Sequence, residues 1–218
     1  MKIHLFTILF FSLFYIHGQV YTFQSKENGK TVTHRILIDN SYLVETQFLS
    51  NPAQFILTRG GFYNKEGKEI SINFEFNSNF EKDSLKNLKI NWSKDWEKVS
   101  KKPEDLDGKW LMAGRVTDQG ERRRDTSRPR KTMKFLLNGY FQWTAFNTET
   151  FQFFGSGGGF YTTENGKYTE HIQYFSRDNS RVGAVLPFNY SLKGSDWHHQ
   201  GYSSKGDPMH EIWSMRVQ

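Results

Sequence analysis

Short runs of alternating apolar and polar residues recur along almost the whole chain. The segment 70–76 reads Ile-Ser-Ile-Asn-Phe-Glu-Phe, so an apolar side chain stands at every second position. Such alternation is typical of a β-strand with one face in a core. The pattern predicts strands at residues 20–26, 31–38, 41–49, 53–63, 68–77, 85–93, 109–117, 131–137, 140–147, 150–162, 167–176, 181–192 and 209–217.

Glycine-containing turns separate several of these strands. Asn28-Gly29, Glu66-Gly67 and Asn165-Gly166 each place a glycine where a tight hairpin needs a positive φ angle. Consecutive hairpins join strands that are neighbours in space, so the predicted sheet is an antiparallel meander.

The chain contains much of this pattern twice. Residues 40–93 align with residues 138–191 without a gap, and fifteen of the fifty-four positions are identical. Gly60-Gly61-Phe62-Tyr63 recurs as Gly158-Gly159-Phe160-Tyr161. Glycines inside a strand indicate a bulge or bend that lets a sheet curl. We therefore predict an all-β fold of two tandem, duplicated antiparallel meander units, or alternatively one merged barrel or sandwich built from both copies.

The N-terminus has the pattern of an export signal. An apolar run of signal-peptide length follows Lys2 and ends at Ile16, before the small residue Gly18. We predict a signal peptide at 1–18, a first and shorter repeat at 19–99, a linker at 100–106 and a second domain at 107–218. Export to the periplasm or the medium is expected, and an uncleaved N-terminal membrane anchor is the alternative.

The two ends of the second copy resemble the calycin superfamily of lipocalin-like β-barrels. Gly108-Lys109-Trp110 opens this copy like the Gly-x-Trp of the first strand in that family, and Arg216 stands near its end. The resemblance implies a barrel closed by stacking of Arg216 on Trp110. The strand around Tyr168–Ile172 is also similar to small bacterial lipocalin-like domains described as membrane or secreted proteins.

The charge of the chain is concentrated in one segment. The formal net charge is +6, and there is no cysteine, so the fold must rely on packed cores. The segment between two predicted strands contains Arg122, Arg123, Arg124, Arg128 and Arg130. We predict an exposed loop that is either simply solvated or attracted to an anionic glycan or membrane surface. Nucleic acid is disfavoured because the chain is expected to leave the cytoplasm.

The repeat also predicts where a binding site would lie. Ile72 of the first copy aligns with Glu170 of the second, in a strand where Tyr168, Ile172 and Tyr174 are expected to share the inward face. A buried carboxylate needs a partner, so Glu170 either pairs internally, with Arg115 or Arg216, or meets a ligand. The predicted ligand-binding residues, chosen for inward position or aromatic size, are Tyr140, Trp143, Tyr168, Glu170, Tyr174 and Trp197.

Other chemistry has little support in the sequence. His198 and His199 are adjacent and would point to opposite faces of a strand, so no metal site is predicted. No serine stands in a nucleophile-elbow pattern, and no cofactor motif is present. The first functional hypothesis is therefore non-catalytic binding of a small apolar or amphipathic ligand in the second barrel. The second hypothesis is a cell-envelope module with a filled core that recognises glycan or protein partners through the arginine segment.

Overall fold

The computed structural model describes residues 18–203 and 206–216. The predicted signal peptide thus lies outside the described residues except for Gly18, which is buried and whose carbonyl accepts a hydrogen bond from Asn138 (2.8 Å). The predicted all-β fold is confirmed. The only α-helix within the described ranges is the single turn α1 (Phe80–Asp83).

The first copy forms an open sheet. Its strands are β1 (Gln19–Glu27), β2 (Lys30–Ile38), β3 (Tyr42–Ser50), β4 (Ala53–Glu66), β5 (Glu69–Asn77), β6 (Asn87–Asn91) and β7 (Glu97–Lys98). They are ordered β6-β5-β4-β3-β2-β1-β7, so β6 and β7 lie at opposite edges. The first unit is therefore an open, seven-stranded sheet, in keeping with the shorter first repeat that the sequence predicts.

The second copy forms a closed barrel. Its strands are β8 (Gly108–Thr117), β9 (Gly120–Arg123), β10 (Arg130–Leu137), β11 (Tyr140–Asn147), β12 (Phe153–Glu164), β13 (Lys167–Phe175), β14 (Val185–Lys193), β15 (Asp196–Tyr202) and β16 (Pro208–Met215). Eight of them follow one another from β10 to β16 and then β8, which pairs back onto β10. Only the start of β8 pairs with β10, because its second half pairs with β9. The barrel wall therefore divides beside β9.

The paired glycines produce the same bulge in both copies. The register shifts between Gly60 and Gly61 against β5, and between Gly158 and Gly159 against β13. A Cβ on Gly159 would lie far closer to the carbonyl oxygen of His171 than the 3.0 Å that Cβ atoms keep from other heavy atoms. Glycine is needed here for close approach of two backbones, as the sequence pattern predicts.

The outer face of the barrel packs against the convex face of the first sheet. Both copies contribute to one core, whose buried residues are Val20, Leu37, Tyr42, Val44, Phe76, Leu111, Met133, Phe135, Leu137 and Phe146. A second core fills one end of the barrel, and a third covers the concave face of the first sheet. The two copies are thus packed against each other and are not two independent domains joined only by a linker.

The contact between the copies has an approximate twofold relation. Phe48 packs on Tyr174 at 5.0 Å, and the equivalent residues Phe146 and Phe76 pack at 4.9 Å. Phe55 stacks on Phe153, its own counterpart in the alignment, at 6.2 Å and 4°. This is the arrangement of an isologous interface, in which each surface meets its own equivalent.

Charged side chains cross this interface in the same symmetrical way. Arg216 of the second copy donates to both carboxylate oxygens of Glu75 (2.7 and 2.8 Å) and lies over the Tyr42 ring at 5.4 Å. Arg35 of the first copy donates to Gln173, the counterpart of Glu75, and lies 4.6 Å from the Tyr140 ring, the counterpart of Tyr42.

Two strands, β9 and β15, were not predicted, and each has a polar sequence. β9 contains Glu121 and arginines, and β15 begins Asp-Trp-His-His. In β15, Trp197 and His199 are buried on the inside of the barrel. Because histidine is a polar residue type, His199 does not mark a core position in a pattern of apolar residues. Alternation of apolar residues therefore could not reveal these strands.

Candidate functional site

The barrel contains a cavity of about 670 Å³ that opens to solvent. Its walls are mainly apolar and aromatic, with contributions from Met112, Trp143, Ile172, Phe175, Leu186, Phe188, Met209 and Trp213. Ionisable side chains lie at two places. Lys134, Glu170, His199 and Glu211 lie in the interior, and the exposed residues Arg115, Arg122 and Arg124 lie beside β9. The exposed arginines mark the mouth of the cavity, where the wall divides.

Glu170 faces the interior and is paired. Lys134 Nζ donates to Glu170 Oε1 at 2.7 Å, and Tyr168 donates to the same oxygen at 2.9 Å. Its internal partner is therefore Lys134, and not Arg115 or Arg216 as the sequence analysis considered. The repeat contains evidence that Lys134 is the partner of Glu170, because these two residues align with the apolar pair Ile36 and Ile72 of the first copy.

Two of the predicted tryptophans face inwards. Trp143 lines the cavity and packs against Phe175 at 5.5 Å. Trp197 is completely buried beneath the cavity, where its ring contacts Tyr168 at 5.2 Å and Lys134 Nζ at 5.0 Å. The structure thus brings Trp143, Tyr168, Glu170 and Trp197 together, although Tyr168 and Trp197 support the wall and are not among the residues that line the cavity.

Tyr140 and Tyr174 face the first sheet, so the prediction that they point into the barrel is wrong. Opposite Gly158 and Gly159, β13 contains one extra residue, Gln173, and this reverses the inward and outward alternation. Tyr174 therefore points outwards and donates to Gln142 at 3.0 Å. In β11, Trp143 takes the inward position and Tyr140 the outward one.

The predicted stacking of Arg216 on Trp110 is also wrong. Met215 is the register partner of Trp110, so the next residue, Arg216, projects from the opposite face and binds Glu75. Trp110 packs inside the barrel against Trp197 at 5.7 Å and donates to the carbonyl of Leu106 at 2.8 Å. The basic residue that contacts the inner tryptophans is Lys134, which the sequence analysis did not single out.

The arginine segment is partly a strand, and its side chains diverge. Arg122 and Arg124 line the cavity mouth, whereas Arg123 binds Asp196 on the other face at 2.8 Å. Arg130 stacks on Phe154 at 3.2 Å, and Arg128 lies near Asp125 at 3.7 Å. The segment therefore does not act as one uniform basic loop.

His199 and Glu211 are cavity residues that the sequence analysis missed. His199 Nδ1 lies 3.4 Å from Glu211 Oε2, which also accepts from the Trp213 indole at 3.2 Å. Burial lowers the pKa of His199 from 6.5 to about 4, and the nearby charge of Lys134 acts in the same direction. Burial raises the pKa of Glu211, but the hydrogen bond with His199 and the positive charges of Lys134 and Arg115 together outweigh this, and the net direction is downward.

The low pKa of His199 predicts an acid-sensitive stability. In the unfolded chain His199 takes up a proton near its ordinary pKa of 6.5, whereas in the folded chain it does so only near 4. Stability therefore falls as the pH decreases between these values. At 1.36 kcal/mol per pH unit the loss is about 3 kcal/mol. Urea unfolding of His199→Phe should show a much flatter pH dependence between 6.5 and 4.5 than the wild type. An equal slope in both proteins would contradict this prediction.

The comparison with protein families concerns this barrel. A family model described as a domain of unknown function, DUF4488, matches residues 105–218, which are 114 of the 218 residues. The chain belongs to the DUF4488 family. The matched region of this DUF4488 protein contains the whole barrel and every cavity residue described above. No curated protein matches the chain in sequence.

The first sheet of the DUF4488 protein has a separate polar cluster on its concave face. Ser25 Oγ lies 2.9 Å from His34 Nε2, and His34 Nδ1 lies 3.0 Å from Glu45. Burial opposes ionisation of Glu45, but His34 and Arg59 lower its pKa to about 2. Ser25 lies within a regular strand opposite Val32, and not on a strained turn that presents backbone N–H groups to an oxyanion. We therefore assign this cluster a structural role.

Metal ligands do not converge in the part of the chain that the structure describes, since no group of three or more His, Asp or Glu side chains could hold an ion.

Across residues 18–203 and 206–216, helices long and apolar enough to cross a membrane are absent.

Proposed function

We propose that the barrel of this protein binds a small apolar or amphipathic ligand in its interior without catalysing a reaction on it. The observation that carries the proposal is the cavity of about 670 Å³ bordered by Glu170. Its volume lies within the usual range of about 300–1,000 Å³ for small-molecule sites. We also propose that the likeness to lipocalins extends from the barrel topology to this use of the interior.

The composition of the cavity supports binding over catalysis. Most of the wall is apolar, and the two carboxylates of the lining are already paired, as in sites where a small number of polar groups orients a ligand. Lys134 bonds Glu170, and His199 faces Glu211. The competing envelope-module hypothesis assumes a filled barrel and a free arginine loop. The open interior and the two arginines at its mouth favour the ligand-binding hypothesis.

We further propose that the protein is exported to the periplasm or the medium, on the basis of the apolar run at residues 1–18. Export would expose the barrel to ligands outside the cytoplasm.

Blocking the cavity provides the test of ligand binding. Met209→Trp places a larger side chain at the cavity wall, whereas Leu85→Trp makes a similar change at an exposed position of the first copy. We expect wild type and Leu85→Trp to bind the neutral fluorescent dye N-phenylnaphthylamine saturably. Met209→Trp should weaken binding at least about tenfold, a difference of about 1.4 kcal/mol. Dye binding that is absent from the wild type, or equal in all three proteins, would reject the proposed site.

A further inference from the structure

Four polar side chains form a continuous row across the cavity wall. In the strand registers, His199 is opposite Glu211, Glu211 is opposite Arg115, and Arg115 is opposite Arg122. All four line the cavity. At about 4.8 Å between neighbouring strands, the row extends about 14 Å from the buried wall to the mouth.

The outer end of the row has an excess of positive charge. Arg115 and Arg122 are directly opposite each other on adjacent strands, an arrangement that is unfavourable for like charges. The cavity lining contains four cations (Arg115, Arg122, Arg124 and Lys134) but only two carboxylates, an excess of two. Both carboxylates are already engaged, Glu170 by Lys134 at 2.7 Å and Glu211 by Arg115 at 3.6 Å. A bound anion at the mouth would relieve this repulsion.

The inner end of the row offers hydrogen-bond acceptors. Nδ1 of His199 faces the Glu211 carboxylate, which assigns the proton to Nδ1 and leaves a lone pair on Nε2. His199 is only 1% exposed, and its Nε2 is buried in the wall without a hydrogen-bond partner, so a ligand donor reaches it only when the lining side chains shift. An unpaired buried acceptor is costly unless a donor reaches it. Both described hydrogen bonds of Glu170 end on Oε1, so Oε2 provides a second acceptor at the same depth.

Much of the wall beside this row is apolar. Ile172, Phe175, Leu186 and Met209 are among the lining residues. Apolar surface of this kind favours a hydrocarbon body and makes only a small distinction between one hydrocarbon and another.

From these three parts we infer the class and orientation of the ligand. We propose that the barrel binds an organic anion with an apolar body and a hydroxyl or amine donor at its far end. The anionic group lies between Arg122 and Arg124 at the mouth, and the donor reaches His199 Nε2 in the interior. This inference rests on the proposed function, because it specifies what the same cavity accepts.

Displacement of N-phenylnaphthylamine by four matched chains tests both ends. The probes are ω-hydroxydodecanoate, dodecanoate, dodecanol and the α,ω-dodecanediol. For the wild type we expect the hydroxy acid to bind tightest, with the hydroxyl contributing about fivefold over dodecanoate, as for one hydrogen bond. The carboxylate should contribute about tenfold over the diol, and added salt should weaken only the two acids.

Variants at each end separate the two contributions. Arg122→Gln combined with Arg124→Gln should weaken the two acids about tenfold and leave the diol unchanged. His199→Phe should abolish the preference for hydroxydodecanoate over dodecanoate. Arg123→Gln is the matched control, because Arg123 binds Asp196 away from the cavity, and it should behave like the wild type.

The outcomes distinguish this inference from the proposed function. If the wild type binds the dye but shows no preference among the four probes, the ligand class is wrong while the cavity remains a binding site. If no dye binds, both proposals fail. A third outcome is that the Arg122 and Arg124 changes reduce binding to anionic phosphatidylglycerol vesicles without affecting the acids. In that case the arginines serve a membrane surface, and the inference is overturned.

Discussion

Gly159→Ala is expected to lower the free energy of unfolding by about 3 kcal/mol or more, or to prevent folding. The added Cβ would collide with the carbonyl oxygen of His171, a backbone atom held in the β12–β13 pairing. Gly159 has no positive φ angle, so the collision alone accounts for the effect. Urea unfolding followed by tryptophan fluorescence measures the loss. The equivalent change Gly61→Ala should have a similar effect, since its Cβ would meet the carbonyl of Asn73.

A hairpin glycine provides the control for Gly159. Gly166 has a φ of +74°, and the nearest heavy atom to an added Cβ is 3.7 Å away. Gly166→Ala therefore tests backbone strain without a collision and should cost about 1–2 kcal/mol. If Gly159→Ala proves no more destabilising than Gly166→Ala, the close approach of the two strands is not rigid, and the bulge is not the constraint described above.

Lys134→Met is expected to destabilise the protein by about 3–5 kcal/mol, because it leaves the Glu170 carboxylate buried without its cation. Lys134 and Glu170 are only 5% exposed, and their charged atoms are 2.7 Å apart. Adding Glu170→Leu to Lys134→Met should recover most of the loss, since this double variant replaces the pair by apolar side chains. The first copy has Ile36 and Ile72 at the equivalent positions, so an apolar pair is compatible with this backbone.

A double-mutant cycle measures the coupling between these two residues. Unfolding free energies of the wild type, Lys134→Met, Glu170→Leu and the double variant give the interaction directly. We expect a coupling of about 2 kcal/mol or more. A coupling near zero would mean that solvent in the cavity, and not Lys134, compensates the charge of Glu170. The double variant also offers a stable, apolar cavity for the dye.

Much of the architecture could be predicted from the sequence because duplication and alternation both report on backbone geometry. The paired glycines predicted the bend, and the alternation predicted most strands. The inward position of Glu170 was also correct. The prediction for Tyr174, which lies further along the same strand, was wrong because the alternation of inward and outward side chains does not continue through a bulge. Gly158 and Gly159 on the adjacent strand indicated the bend but not which residue of β13 would be extra.

The polar part of the site was harder to predict. His199 and Glu211 are opposite each other on the paired strands β15 and β16, whereas Lys134 lies on β10. The proximity of Lys134 to the other two depends on closure of the barrel. Arg216 was assigned to Trp110 through a family pattern, but this chain has a second sheet on the outside of the barrel. Glu75 of that sheet is a better partner for a guanidinium than an indole ring, because it accepts two hydrogen bonds.

The approximate twofold relation between the copies has a consequence for how the site could arise. In a symmetrical pair of identical chains every substitution appears twice, so a buried charge would be introduced into both barrels at once. With both copies in one chain, each position can change alone. Ile72 stays apolar while its counterpart is Glu170, and Glu45 stays charged while its counterpart is Trp143. Because the two copies are fused in one chain, the interior of one copy can change by substitution while the surface residues that hold the copies together stay the same.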